Sequence, residues 1–193
     1  MVELEREYTF LVEELPADLD GFPSKIIEDI YIPIDAVHPI IRIRRNGDKY
    51  VITKKQPIDA GADGVSGDAS HMVEHTIELS KPEYKALASL PGRKFKKRRF
   101  AYKIGNLEAE VDVYLDKLAG LVVIDFEFDS DDAMGKFVKP NFIGADVTQD
   151  GIVAGGMLCG KLYSDISDEL LKKYNYKPVD GVEKYDEVGN ENI

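Results

Sequence analysis

In the opening stretch Val2-Glu3-Leu4-Glu5-Arg6-Glu7-Tyr8-Thr9-Phe10-Leu11-Val12, every second position carries Glu3, Glu5, Glu7 or Thr9. Leu4, Arg6, Tyr8 and Phe10 hold the positions between. Successive side chains of a strand point to opposite faces, so the pattern predicts a strand with three carboxylates along one side. Like charges in a row repel, and they require water or cations close by. The same alternation recurs in Ile41-Arg42-Ile43-Arg44, Tyr50-Val51-Ile52-Thr53-Lys54-Lys55, Glu74-His75-Thr76-Ile77-Glu78, Lys97-Arg98-Arg99, Glu110-Val111-Asp112-Val113 and Asp125-Phe126-Glu127-Phe128. The charged side is acidic in some of these stretches and basic in others. Solvated outer faces of a β-sandwich would give one such pattern. A closed antiparallel barrel with a charged lumen and helices covering part of its outside gives the other, and it accounts for the matched charge types.

Turn and cap signals place the remaining elements. Residues 25–33 read as an Ile-rich strand closed by Pro33, and residues 40–55 as a hairpin turning at Asn46-Gly47. Residues 56–70, rich in Gly, Asp and Ala, are long for a hairpin connection and suit a flap over a barrel mouth. A strand at 72–79 leads into Ser80-Lys81-Pro82-Glu83, where a Ser cap, an early Pro and Glu three residues on predict a helix to about Leu90. Strands follow at 94–104, 108–115 and 121–128. Then come a short helix at 130–138, a glycine-rich closing segment at 151–160 and an amphipathic helix at 165–174. The fold class is therefore α+β but mainly β. Residues 1–176 are expected to form one tunnel-like domain, and residues 177–193 an acidic, disordered tail.

Composition narrows the partners. A chain of 193 residues with 44% hydrophobic and 32% charged content is long enough for a real core. Its net charge of −11, spread along the chain, argues against a nucleic-acid duplex or an anionic membrane as partner. The cations nonetheless cluster at 42–45, 54–55 and 93–99, a local basic focus suited to a small polyanion. One cysteine, Cys159, permits no internal disulfide and reads as a buried hydrophobe. With no apolar run near the ~20 residues of a membrane span and an acidic N-terminus, a cytoplasmic protein is expected, as monomer or homodimer.

The alternating charges themselves suggest chemistry. Glu5-x-Glu7, Glu110-x-Asp112 and Asp125-x-Glu127 supply hard oxygen ligands for Mg²⁺ or Mn²⁺, which commonly bridge to phosphates. Arg42, Arg44, Lys55, Lys97 and Arg99 supply the complementary cations for phosphate oxygens. The three histidines (His38, His71, His75) lack metal-ligand spacing, and no Gly-rich phosphate loop or acyl-transfer triad is evident.

Taken in order, these stretches resemble the CYTH superfamily, the triphosphate tunnel metalloenzymes. The resemblance covers roughly residues 3–163. It is carried by 5–12 (the family's ExExK and its apolar run), 42–48, 52–55, 74–78, 97–100, 110–114, 120–128 and 146–148. It implies an eight-stranded antiparallel tunnel and metal-dependent action on a triphosphate. It also implies metal ligation by Glu5, Glu7, Asp125 and Glu127, with Glu110 and Asp112 nearby, and phosphate contacts from Arg42, Arg44, Lys55, Lys97 and Arg99. Lys55 and Arg99 carry the catalytic assignment, with Lys161 as a late cation. Hydrolysis of inorganic triphosphate or a related compound is the first expectation. A slow or non-catalytic binder of triphosphate, polyphosphate or nucleotide is the second, and an adenylyl cyclase the third. The sequence departs from the family at three points. The ExExK lysine falls on Thr9, which favours slower turnover; Asp125 stands where Glu is usual; and Val153-Ala154-Gly155-Gly156 replaces a Tyr-x-Asn stretch.

Overall fold

The computed structural model describes residues 2–186. Eight strands form a closed barrel: β1 (Val2–Leu11), β2 (Ser24–Ile32), β3 (Ile41–Asn46), β4 (Lys49–Pro57), β5 (His71–Glu78), β6 (Arg93–Ile104), β7 (Leu107–Tyr114) and β8 (Val122–Glu127). Their order around the barrel is β1-β5-β4-β3-β2-β6-β7-β8, and every neighbouring pair is antiparallel. Closure leaves no strand edge unpaired. The period-two pattern thus reports a lumen and an outer face.

The registers bring the charged faces together. Glu7 pairs with Glu127 and Thr9 with Asp125 across β1–β8. Glu110 pairs with Asp125 across β7–β8, and Arg99 with Asp112 across β6–β7. Asp29 opposes Arg44 across β2–β3, and Lys55 opposes Glu74 across β4–β5.

The apolar core lies outside the barrel wall. Phe10, Phe100, Val111, Val113, Ile124 and Phe126 project outward from β1, β6, β7 and β8 into a cluster with Leu158, Ile166, Leu170 and Tyr176. The chain after β8 supplies that cover, including the helices α2 (Asp131–Gly135), α3 (Gly155–Leu158) and α4 (Ser167–Tyr174). Tyr176 anchors it: its hydroxyl accepts from the Val122 amide at 2.9 Å and donates to the Gly120 carbonyl at 3.1 Å. The opposite side is barer. There α1 (Lys81–Ala88), held by the Ser80/Glu83 capping box, stacks Tyr84 on Tyr50 with ring centroids 4.7 Å apart.

The boundary expected at residue 176 is corrected as far as residue 186. Val179, Val182 and Tyr185 are buried, and the Tyr185 hydroxyl donates to Asp20 at 2.6 Å. The polar composition of this stretch masks three apolar anchors spaced to reach the barrel wall. The remainder of the expected tail lies outside the described residues. Among the described residues, no helix is long and apolar enough to cross a membrane.

Candidate functional site

The lumen holds a cavity of about 430 Å³. Its wall includes Glu5, Glu7, Arg42, Arg44, Lys55, Lys97, Arg99, Glu110, Asp112, Asp125 and Glu127, so ten of the strand positions expected from alternation, and Lys97 with them, share one chamber. Lys161 does not line it. The chain has by then been tied to the start of β6, through the Gly160 amide on the Lys94 carbonyl, and leaves the barrel axis.

Two groups of charges divide the wall. On β6, β7 and β8, Arg99 grips Asp112 with both arms of its guanidinium, Nε to Oδ1 at 2.7 Å and a terminal nitrogen to Oδ2 at 2.6 Å. It also contacts Glu110 and, at 3.5 Å, Asp125. Lys97 bonds the same Asp112 carboxylate. Burial pushes the Asp112 carboxyl up, but the Arg99 and Lys97 charges outweigh it and hold the group well below the usual carboxylate range. Burial, aided by the Arg99 charge and opposed by Asp112, pulls Lys97 down to about 8.

On β1, β3, β4 and β5 the arrangement is simpler. The Lys55 ammonium sits 2.6 Å from Glu5 Oε2 and 2.6 Å from Glu7 Oε1. Arg42 reaches Glu74 at 3.3 Å, and its Nε is buried without a hydrogen-bond partner. Burial lowers the Lys55 pKa, yet Glu7 and Glu5 more than offset it and hold it above the ordinary lysine value. Acid remains in excess beside this pair. Burial first, then Glu110, Glu5 and Glu7, push Glu127 up to about 7, although its tip is open to solvent at the end of β8. Burial, Asp112 and Glu7 push Asp125 up to about 6.

Among the described residues no three carboxylates or imidazoles form a ready-made metal centre. The reason is visible in the pairs above: Lys55 occupies Glu5 and Glu7, while Arg99 and Lys97 saturate Asp112. The donor set nevertheless suits a hard divalent cation. Glu5, Glu7, Glu127 and Asp125 are oxygen donors; burial first and neighbouring carboxylates second raise the pKa of Glu5, Asp125 and Glu127, and a divalent ion would offset both.

Several lining residues escaped the sequence pattern. Asp29 is fully enclosed and takes both arms of Arg44 at 2.7 Å. Its stretch also carries Glu28 on the other face, so alternation does not single it out. Thr9 does face the lumen, where its hydroxyl donates to Asp125 at 2.7 Å. At one end Tyr31, Phe95 and Tyr114 pack with tilted rings, and residues 153–156 line the cavity beside them. A Cβ on Gly155 would overlap the Tyr31 hydroxyl, and one on Gly156 the Pro39 carbonyl; this close approach requires glycine. The flap expected at 56–70 does line the cavity, through Val65, Ser66, Gly67 and Ala69. Gln149 clasps it, donating to Asp68 at 2.7 Å and accepting from the Ala69 amide at 3.2 Å.

A curated protein of Nitrosomonas europaea described as "Inorganic triphosphatase" is 29% identical over 155 residues, covering 78% of this chain and 91% of its own length. A crystal structure of an inorganic triphosphatase covers 82% of this chain and 95% of its own, with a TM-score of 0.57 at 22% identity. Both likenesses agree with the resemblance to the CYTH superfamily carried by the charged strands. No family model matches the chain. The chain also superposes on a second solved structure, described only as a hypothetical protein, with a TM-score of 0.57 over 82% of this chain. At 24% and 22% identity these two structures speak for the barrel.

Proposed function

We propose that this chain hydrolyses inorganic triphosphate, or a closely related triphosphate, with the help of Mg²⁺ or Mn²⁺. The observation that carries the reading is the chamber itself, in which carboxylates and guanidinium or ammonium groups face one another around a cavity of about 430 Å³. A polyanion alone would be repelled by the acidic members, and a metal alone by the basic ones. A metal-bound polyphosphate satisfies both. The likeness to a protein described as an inorganic triphosphatase supports the same substrate class.

In this reading Glu5, Glu7, Glu127 and Asp125 hold the cation, with Glu110 beside them. The bound ion supplies charge neutralisation for phosphate oxygens. Arg42, with an unpartnered donor, and Lys55 hold the phosphate chain, and Arg99 presents its positive edge to the charge that grows on the transferring group. Lys97 and Asp112, saturated by each other and by Arg99, hold that arginine still. Water attacks the terminal phosphorus in line with the leaving phosphate oxygen.

The test is phosphate release from inorganic triphosphate, thiamine triphosphate and ATP with Mg²⁺ or Mn²⁺, on the wild type and on Glu7→Gln. Metal-dependent release that Glu7→Gln abolishes supports the reading. A wild type that binds triphosphate in a thermal-shift titration but releases no phosphate would make the protein a binder. That outcome is favoured by one observation: Thr9, bonded to Asp125, carries no charge where the family's lysine falls.

A further inference from the structure

One ammonium serving two carboxylates at equal distance is an unusual way to neutralise a site that must also accept a divalent ion. We propose that Lys55 is an exchangeable counter-ion, displaced from Glu5 and Glu7 by the metal and taken up by the phosphate chain, so that metal and triphosphate each strengthen the binding of the other. The inference rests on the functional reading above and assigns it a mechanism of coupling.

Four observations lead to it. Lys55 bonds one oxygen of Glu5 and one of Glu7, both at 2.6 Å, and these are carboxylates a divalent ion would need. An ammonium and a divalent cation on the same oxygens repel each other, so the two occupancies exclude one another. The pair is not sealed: Lys55 keeps 23% of its side-chain surface exposed, against 7% for Lys97. Finally, a lysine makes single-point contacts from a flexible stem, whereas the two-armed grip of Arg99 on Asp112 is fixed by a planar fork. Of the two charge groups in the chamber, only the Lys55 group is built to let go.

The consequence follows from where the released ammonium goes. A partly buried cation stripped of its carboxylates is costly unless another anion meets it. Lys55 lines the same cavity as Arg42 and Arg99, and phosphate oxygens between them supply that anion. Metal alone therefore displaces Lys55 at a cost, and metal with triphosphate displaces it into a new partner. Binding of either ligand improves the other by the same factor, as linkage requires. Thr9 bears on this directly. No lysine stands at that position of β1, so Lys55 is the ammonium that meets the Glu5–Glu7 face.

The test measures binding, not turnover, at pH 8. Mn²⁺ affinity is determined by calorimetry for wild type, Lys55→Met and Lys55→Arg, with and without an imido-bridged, non-hydrolysable triphosphate. Wild type is expected to bind Mn²⁺ at least tenfold tighter when the analogue is present. Lys55→Met is expected to bind Mn²⁺ alone at least tenfold tighter than wild type, with the enhancement by the analogue largely lost. Lys55→Arg keeps the charge and should keep Mn²⁺ alone weak. Equal or weaker Mn²⁺ binding by Lys55→Met overturns the proposal. So does a wild type whose Mn²⁺ affinity ignores the analogue, a measurement that stands even if Lys55→Met fails to fold. The functional reading fails separately: triphosphate left intact, with Mn²⁺ binding tightened in Lys55→Met, keeps the counter-ion and removes the hydrolase.

Discussion

The two charged walls of the lumen use the same residue types to opposite ends. On β6–β8, Asp112 is 1% exposed and both of its oxygens are taken by Arg99 and Lys97. On β1, β4 and β5, Lys55 bridges Glu5 and Glu7, which keep 16% and 17% of their side-chain surface exposed. Breaking a buried, saturated pair leaves a charge with no partner, whereas loosening a half-open one lets water in. The first wall is a fixed electrostatic surface and the second an adjustable one. A chamber that holds a rigid arginine and, in the proposed function, also admits a metal has use for both.

The largest expected effect tests that contrast. Asp112→Ala strands Lys97 and Arg99 together and is expected to cost about 3–5 kcal/mol of folding stability, the range for removing one partner of a buried ion pair. Glu7→Gln leaves Lys55 with Glu5 and relieves repulsion toward Glu127, so its apo stability is expected to stay within about 1 kcal/mol of wild type. Urea unfolding of both variants checks this. Similar losses in the two would erase the distinction between the walls.

At the end lined by residues 153–156, Tyr31 touches Arg42 and lies under the glycine segment. Gly155→Ala pushes a methyl group into the Tyr31 hydroxyl. Overpacking of this kind costs about 1–3 kcal/mol, and here the displaced ring moves an arginine of the adjustable wall. Lower stability together with weaker triphosphate binding is expected, read from unfolding and from a thermal-shift titration. Lost stability with unchanged binding would confine Gly155 to packing.

Thr9 joins the walls at the seam between β1 and β8. Its hydroxyl meets Asp125, whose pKa is pushed up to about 6 by burial, Asp112 and Glu7. Thr9→Lys places an ammonium among those carboxylates, where ion pairing offsets much of its desolvation. The variant is expected to fold and to hydrolyse triphosphate about tenfold faster, equivalent to ~1.4 kcal/mol of barrier. Lys161 stands off the cavity, so Lys161→Ala should leave the rate alone. A slower Thr9→Lys enzyme would mean that Lys55 already does that work.

How much of this was legible in the sequence follows from the period of two. Alternation places seven of the eight strands, because a lumen sorts side chains as strictly as a core does, and β2 is marked instead by its isoleucines and Pro33. It found ten of the lining charges on their correct face and Lys97 with them, since Glu5, Arg42 or Asp125 stand opposite plainly apolar neighbours. It passed over Asp29, whose neighbour Glu28 is also acidic. It could not show that Asp112 is spent on Arg99 and Lys97, because pairing across strands depends on register and not on pattern. Lys161 was drawn in by its charge, and the turn at Gly160 carries it away. The burial of 177–186 depends on Val179, Val182 and Tyr185, too sparse among polar residues to mark an element.

The smallest expected effect is a pH slope, and the carboxylates saturated by arginine and those left in excess should give opposite signs. Asp112 and Asp29 are held below the usual carboxylate pKa, each by arginine charges that outweigh burial. A lowered folded-state value gives stability that is present above the unfolded pKa of about 3.9 and lost as pH falls below it. Glu127 behaves in reverse. Its folded-state value is pushed up to about 7, so the folded protein holds the proton more tightly than the unfolded chain. Its contribution is complete below the unfolded value of about 4.3 and is lost as pH rises through 7. Asp125, pushed up to about 6, adds to the same trend. The metal-free protein should thus be most stable between these windows, near pH 4, and decline gently toward pH 7. The decline is damped because solvent reaches Glu127. Glu127→Gln removes the upper part of it and leaves the acid limb unchanged. Urea midpoints at half-unit steps from pH 3 to 8, with chelator present, resolve the two limbs. A midpoint that climbs steadily from pH 5 to 7 in wild type would show that Glu127 is ionised without strain, and that the lumen carries no excess acid for a metal to relieve.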